Sequence, residues 1–269
     1  MAPLDLAKNW GGAPSTTPKV ALRDLHVAFT LADGGSLPAV GGVSLSVAPN
    51  EFVVLVGPSG CGKSTILRAI AGLVEPARGE VLVDGTSVAG PPEGVGFMFQ
   101  KDTLLPWLTV GENISVGLEL GGTPIADRPA RLAALLSLLR LDEFGNHHPA
   151  QLSGGMRQRV SLGRMLAYRP ALMLMDEPFG ALDALTKLAM GRELLRVWEA
   201  ERRAILFVTH DIEEAVALAD RVIVFSPRPA RIVAEHRIDI PRPRDIRRLR
   251  TDPAFGALTQ AIWTDLEGH

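Results

Sequence analysis

Three short stretches carry residue types and spacings that do chemistry. Residues 57–64 read Gly57-Pro58-Ser59-Gly60-Cys61-Gly62-Lys63-Ser64, a match to the template G-x-x-x-x-G-K-[ST]. Glycines at this spacing let backbone N–H groups converge on phosphate oxygens at the positive end of a helix. In that chemistry Lys63 reaches the β- and γ-phosphates of a nucleoside triphosphate and the Ser64 hydroxyl ligates Mg²⁺. The second stretch is Leu172-Met173-Leu174-Met175-Asp176-Glu177. Four apolar residues bury a strand whose C-terminal end, where ligands bind in open α/β sheets, presents two acids. Asp176 is placed to hold Mg²⁺, directly or through water, and Glu177 to orient or deprotonate an attacking water. The third is Leu152-Ser153-Gly154-Gly155-Met156. Ser153 suits the N-cap of a helix over 156–167, and the two glycines allow close backbone approach. Local chemistry alone leaves this either a second anion site or a cap with no ligand.

The elements that must position these groups are legible around them. An apolar run over 52–56 precedes the phosphate loop, and helical spacing over 65–73 follows it. Strand-like alternation over 20–47, punctuated by a turn at 32–36 and by Gly41-Gly42, suggests an antiparallel sheet with one solvated face. Further strands are expected over 79–84 and 95–99. Helical spacing then dominates, with helices expected over 110–120, 131–141 and 156–167. Beyond them, strands over 171–175, 205–208 and 222–225 alternate with helices over 185–202 and 212–219. That order argues a parallel sheet with helices on both faces. There is no internal repeat, so a single nucleotide-binding unit is expected.

Of 269 residues, 46% are hydrophobic, ample for a sizeable core. The formal charge of −2 argues against nucleic acid as a partner. Cys61 is the one cysteine, which excludes an intramolecular disulfide and fits a reducing compartment. No apolar run approaches the length of a membrane span. Any work on a membrane is expected from outside it.

Phosphate loop, Gln100, the Leu-Ser-Gly-Gly-Met stretch, Asp176-Glu177, Ala181-Leu182-Asp183 and His210 follow one another in a set order. These six motifs resemble an ABC-type ATPase, and the resemblance covers nearly everything from 20 to 225. It implies an α/β P-loop NTPase with a RecA-like parallel-sheet core, an N-terminal antiparallel β subdomain and an inserted α-helical subdomain over about 101–168. A flexible lead-in at 1–18, one ABC ATPase domain over 19–269 and a C-terminal basic extension over about 227–269 complete the expected organisation. The implied cofactors are ATP and Mg²⁺. Gly57, Pro58, Ser59, Gly60, Cys61, Gly62, Lys63, Ser64 and Thr65 would hold the phosphates, and Ser64, Gln100 and Asp176 the metal. Glu177, His210 and Gln100 would be the catalytic set, with His210 contacting the γ-phosphate and Gln100 sensing the permease. Phe29 stands where the family stacks an aromatic on adenine, and that reading is preferred to the alternative of a core strand residue. The resemblance further implies that Ser153, Gly154 and Gly155 close over the nucleotide of a second copy, linked across the dimer by Asp183, giving a homodimer with two composite sites.

Met156 after Leu-Ser-Gly-Gly, Leu105-Pro106-Trp107 and the stretch Ser226-Pro227-Arg228-Pro229-Ala230-Arg231 look like the nitrate/sulfonate/taurine-type importer ATPases. Such a subunit would sit on the cytoplasmic face of the membrane with integral permease subunits, served by a periplasmic or extracellular solute-binding protein. An exporter or lipoprotein-release ATPase would share every catalytic residue, and a soluble ABC ATPase on DNA or ribosomes is a further alternative. The regulatory domain of sugar-type importers is not expected within 225–269. Trp107 reads either as permease contact or as packing within the helical subdomain. The C-terminal arginines (228, 231, 237, 242, 244, 247, 248 and 250) read as a solvated face or as a surface for anionic headgroups or a permease. Asn50, where glycine is usual, is expected to change at most a local turn. Alkylation of Cys61 is expected to block ATP binding, with bound ATP protecting it.

Overall fold

In the computed structural model, residues 17–268 are described; most of the expected lead-in, residues 1–16, lies outside them. Two sheets share one interior. The first is antiparallel, with strands β1 (Val20–Thr30), β2 (Ser36–Val47), β4 (Arg78–Val83) and β5 (Thr86–Ser87) in the order β2-β1-β4-β5. The second is built from β3 (Phe52–Val56), β6 (Val95–Met98), β7 (Leu172–Asp176), β8 (Ala204–Val208), β9 (Arg221–Phe225) and β10 (Ile232–Arg237), in the order β10-β9-β3-β8-β7-β6. Its strands are parallel except β10, which adds antiparallel to β9. Helices α1 (Lys63–Ile70), α5 (Ala184–Glu201), α6 (Ile212–Leu218), α7 (Ile246–Leu249) and α8 (Pro253–Glu267) belong to this core. Helices α2 (Val110–Leu120), α3 (Arg128–Leu138) and α4 (Gly154–Tyr168) form the insert between β6 and β7. Among the described residues no helix is long and apolar enough to cross a membrane.

The central strands read as continuous apolar runs because both sheet faces are covered. In β3, Phe52, Val54 and Val56 join the core under the helices, while Val53 and Leu55 join the core beneath the antiparallel sheet. Met173 and Met175 of β7 and Ile205 and Phe207 of β8 take the first side; Leu172, Leu174, Leu206 and Val208 take the second. A strand's two-residue period thus glues both layers with the same five residues. Each fully buried Val, Leu, Ile or Phe contributes about 1.5–3 kcal/mol.

Three sequence expectations change. Gly41 and Gly42 do not end a strand. They lie inside β2 at a bulge, where Gly42 has φ 85 and faces Asp24, itself at φ 47. The second helix of the insert covers 128–138 rather than 131–141, because it starts with Pro129 in its first turn. The C-terminal extension is not simply a solvated basic face. It supplies strand β10 and helix α8, with Leu249, Phe255 and Ile262 buried in the core under the helices. Arg237, Arg247, Arg248 and Arg250 are exposed as expected. Arg242 instead lies over the Trp198 ring, 4.1 Å from its centroid, and pairs with Asp220 at 2.8 Å. Arg244 is buried, donating to the carbonyls of Val216, Ala217, Ala219, Ile238 and Ile240. Periodicity misses both because the side chains leave the surface to satisfy carbonyls at the end of α6, a need that arises only in three dimensions. Asn50 adopts φ 64, and the turn closes with Glu51 N–H on the Ala48 carbonyl. Asparagine is among the residues best able to take that left-handed conformation in place of glycine.

Candidate active site

Buried β3 ends at Val56, and the chain turns through the phosphate loop into α1, whose first residue is Lys63. Gly62 has φ 126, and a Cβ there would lie 2.4 Å from the Ala39 carbonyl oxygen, so only glycine lets the loop lie against β2. The Lys63 ammonium is almost wholly enclosed, donating to the carbonyls of Gly57 at 2.7 Å and Pro58 at 2.9 Å. Ser64 Oγ donates to Asp176 Oδ1 at 2.7 Å, joining the loop to the end of β7. Burial pushes the Asp176 carboxyl up; the Ser64 hydroxyl opposes that and the charge of Glu177 adds to it.

Glu177 is the first residue beyond β7 and has φ 45, a left-handed conformation rare for a non-glycine residue. Its N–H stays on the β7–β8 ladder through the Val208 carbonyl, 3.0 Å away, so the sheet holds the residue while the chain bends. Strain of this kind, held by surrounding structure, clusters at functional sites. Two side chains from neighbouring strand ends meet the Glu177 carboxylate at the same oxygen. Gln100 Nε2 donates to Oε2 at 3.2 Å, and His210 Nδ1 lies 3.2 Å from it. One cleft of about 420 Å³ is lined by Ser59, Gly60, Gly62, Lys63, Ser64, Thr65, Gln100, Glu177, His210 and Arg228.

Nine of the expected residues therefore line a single cleft, with Asp176 buried beneath it. Gly57, Pro58, Cys61, Phe29, Ser153, Gly154, Gly155 and Asp183 do not line it. Phe29 is 40% exposed near the end of β1, too open for a core residue. Ser153 caps α4 by accepting from Met156 N–H, as its sequence position suggests, with the helix starting at Gly154 rather than Met156. A Cβ at Gly155 would lie 3.2 Å from Leu182, which places the Ser153 turn beside the loop that ends at Asp183. Asp183 caps α5 by accepting from Leu185 and Thr186 N–H groups, which hold its carboxyl below the usual carboxylate range. Cys61 is 1% exposed and packs in the core with Ile66 and Leu67, its Sγ 3.6 Å from Lys63 Nζ.

Sequence reading passed over four groups at this site. Arg228, read only within the 226–231 stretch that marks the importer branch and within the basic tail, reaches the cleft and donates through Nε and Nη2 to the Gly60 carbonyl. Lys187, one turn into α5, pairs with Asp211 at 2.8 Å and with Glu214 at 3.7 Å, tying the helix after Asp183 to the loop after His210. Glu214 also accepts from Thr209 Oγ1, and burial pushes its carboxyl up to about 7. Buried Asn113 binds the chain before α2, accepting from Leu105 N–H and donating to the carbonyls of Leu105, Leu108 and Thr109. That clamp leaves Trp107 70% exposed, against packing inside the helical subdomain. Only the N-cap pattern at Asp211 and Glu214 was a usable signal; the rest pair residues far apart in the chain.

The ABC transporter family model matches residues 40–180. A taurine import ATP-binding protein, TauB, of Burkholderia pseudomallei is 47% identical over 232 residues, covering 85% of this chain and 89% of that protein. TauB of Mesorhizobium japonicum is 46% identical over 239 residues, covering 86% and 93%. An uncharacterized ABC transporter ATP-binding protein of Methanocaldococcus jannaschii is 47% identical over 227 residues, covering 84% and 85%. Among solved structures, the dimeric post-hydrolysis state of the ATP-binding cassette MJ0796, bound to ADP and Pi, superposes with a TM-score of 0.74 at 31% identity, covering 82% of this chain and all of that one. With the phosphate loop, the paired acids and the Glu177–His210 contact converging on one cleft, the chain belongs to the ABC transporter family, as an ATP-binding and ATP-hydrolysing cassette.

Proposed function

We propose that this cassette energises import of a small anionic solute, such as taurine, another sulfonate or nitrate, through integral membrane permease subunits supplied by a solute-binding protein. The names of the TauB relatives support import over export. On this reading the cassette works as a homodimer on the cytoplasmic face of the membrane. The dimeric state of MJ0796 supports that assembly, as does the position of Ser153, Gly154 and Gly155 outside the cleft of their own chain. In the dimer they would close over the nucleotide of the other copy, with Asp183 beside them, while Phe29 would stack on the adenine.

The observation that carries the catalytic assignment is the convergence of Gln100 and His210 on Glu177 Oε2. Glu177 would take a proton from water as the water oxygen attacks the γ-phosphorus and the bond to ADP breaks. His210 and Gln100 would orient that carboxylate. Ser64 Oγ and Asp176 Oδ1, 2.7 Å apart, are a hydroxyl and a carboxylate, the hard oxygen donors that Mg²⁺ takes. Bound there with Gln100 nearby, Mg²⁺ would neutralise phosphate charge. Trp107, projecting from the Asn113 clamp, would meet the permease.

Glu177→Gln tests the assignment. It should bind ATP, lose nearly all hydrolysis and accumulate as an ATP-bound dimer in size-exclusion chromatography. Hydrolysis near the wild-type rate, or a monomer at saturating ATP, would refute it. Uptake of taurine, other sulfonates and nitrate by a strain lacking the gene identifies the solute; unchanged uptake of all three sinks that part.

A further inference from the structure

Lys63 is not the only cation at the phosphate cleft. Its ammonium is directed at two loop carbonyls, and the residue is 5% exposed. Arg228 reaches the same cleft from the opposite end of the sequence and is exposed. Its Nε and Nη2 donate to the Gly60 carbonyl at 3.1 and 2.9 Å. A guanidinium has five N–H donors, so three remain beyond those two bonds. Among the described residues no carboxylate forms an ion pair with Arg228, so its charge faces the cleft uncompensated.

The segment that presents Arg228 is built rather than loose. Ser226 N–H donates to the Arg231 carbonyl at 3.0 Å, and Arg231 N–H donates back to Ser226 Oγ at 3.2 Å, closing the turn. Ala230 N–H donates to the Ala39 carbonyl, and Gly41 N–H to the Ala230 carbonyl, pinning the turn to β2. The Ala39 carbonyl is the group that Gly62 packs against, so the phosphate loop and the Arg228 turn rest on the same stretch of β2. A planar fork with free donors, fixed beside a glycine of a phosphate loop, matches the bidentate geometry of phosphate oxygens.

We propose that Arg228 is a second cationic ligand for the phosphate chain of the nucleotide, anchored on Gly60 and acting beside Lys63. The proposal rests on the reading of the cleft as the nucleotide site. Its rival is a purely mechanical role, in which the guanidinium braces the loop by its bonds to Gly60. Two substitutions separate them: Arg228→Gln keeps an N–H donor within reach of the carbonyl but removes the charge, and Arg228→Lys keeps the charge but loses the fork.

Isothermal titration of the full chain with Mg-ATP, ADP and AMP, at low and high ionic strength, reads the difference. The proposal expects Arg228→Gln to weaken ATP and ADP by about tenfold and AMP by less. It also expects a flatter dependence of ATP affinity on salt than in the wild type, since one exposed charge has gone. Arg228→Lys should stay within about threefold of wild type, because a charge near phosphate is retained. Melting of the unliganded variants together with the wild type ties any change to the ligand. Wild-type affinity and salt dependence in Arg228→Gln, or Arg228→Lys binding more weakly than Arg228→Gln, overturns the proposal and leaves the cleft as the nucleotide site. A wild-type chain that takes up no ATP overturns the reading of the cleft, and the proposal with it.

Discussion

Replacing Arg244 with methionine should destabilise the chain by about 3–5 kcal/mol, a large effect for a residue from a basic-looking tail. The side chain is 8% exposed, and its guanidinium meets five backbone carbonyls between 2.6 and 3.4 Å. Burial, with the neighbouring charge of Arg242, pushes its pKa down to about 10, so it stays cationic at neutral pH. Hydrogen bonds to a charged donor contribute roughly 1.5–3 kcal/mol each, but desolvating the guanidinium costs several kcal/mol, so the native balance is modest. The variant loses the favourable side while keeping a cost. The acceptors are main-chain groups that no substitution can make apolar, and those of Val216, Ala217 and Ala219 close the C-terminal end of α6, where no intrahelical donor remains. For a chain of this size each kcal/mol corresponds to about 2–4 °C, which puts the melting temperature some 6–20 °C lower. Arg244→Lys, with three donors on a point charge, should fall between. Arg247→Met, on an exposed residue, should stay within about 0.5 kcal/mol. Thermal and urea denaturation of the nucleotide-free protein reads all three. A shift below about 2 °C for Arg244→Met would refute the claim that these contacts hold the C-terminal segment to the core.

The remaining predictions follow from the same contacts. Burial raises the Glu214 carboxyl from 4.5 to about 7, so the folded chain binds a proton there that the unfolded chain has released. Its contribution is complete below about pH 4.5 and is lost as pH rises through 7, by up to about 3 kcal/mol. Glu214→Gln should remove that slope from urea unfolding measured across this window; superimposable pH profiles for the two proteins would count against it. Gly62→Ala combines a positive φ with a 2.4 Å clash against backbone and should abolish ATP binding and cost about 2 kcal/mol or more, read by nucleotide titration and melting. Trp107→Ala exposes no core, so stability should hold within about 0.5 kcal/mol while transport falls and ATPase activity persists. Unchanged transport by a folded variant would place the permease contact elsewhere.

The residues of the phosphate loop and the acid pair are legible by themselves because each is tied to local backbone geometry, whereas His210 is legible only through its place in the order of the six motifs. A glycine-spaced turn, a strand end and a helix cap all leave marks within a few residues. The unbroken apolar runs of β3, β7 and β8 likewise announce buried strands, since both sheet faces are covered. What only the tertiary structure decides is which side chains share a cleft. Gln100, Glu177 and His210 lie on three separate segments, and the parallel order of β6, β7 and β8 brings their strand ends together. It also parts Ser153 from Lys63 within one chain, and it buries Arg244 and Cys61 while leaving Arg228 over the phosphate loop. Exposure and long-range pairing depend on the path of the chain through space. For that reason, eight arginines that look alike in a basic tail become a buried carbonyl clamp, a cover for Trp198, a solvated edge and a group facing the phosphate cleft.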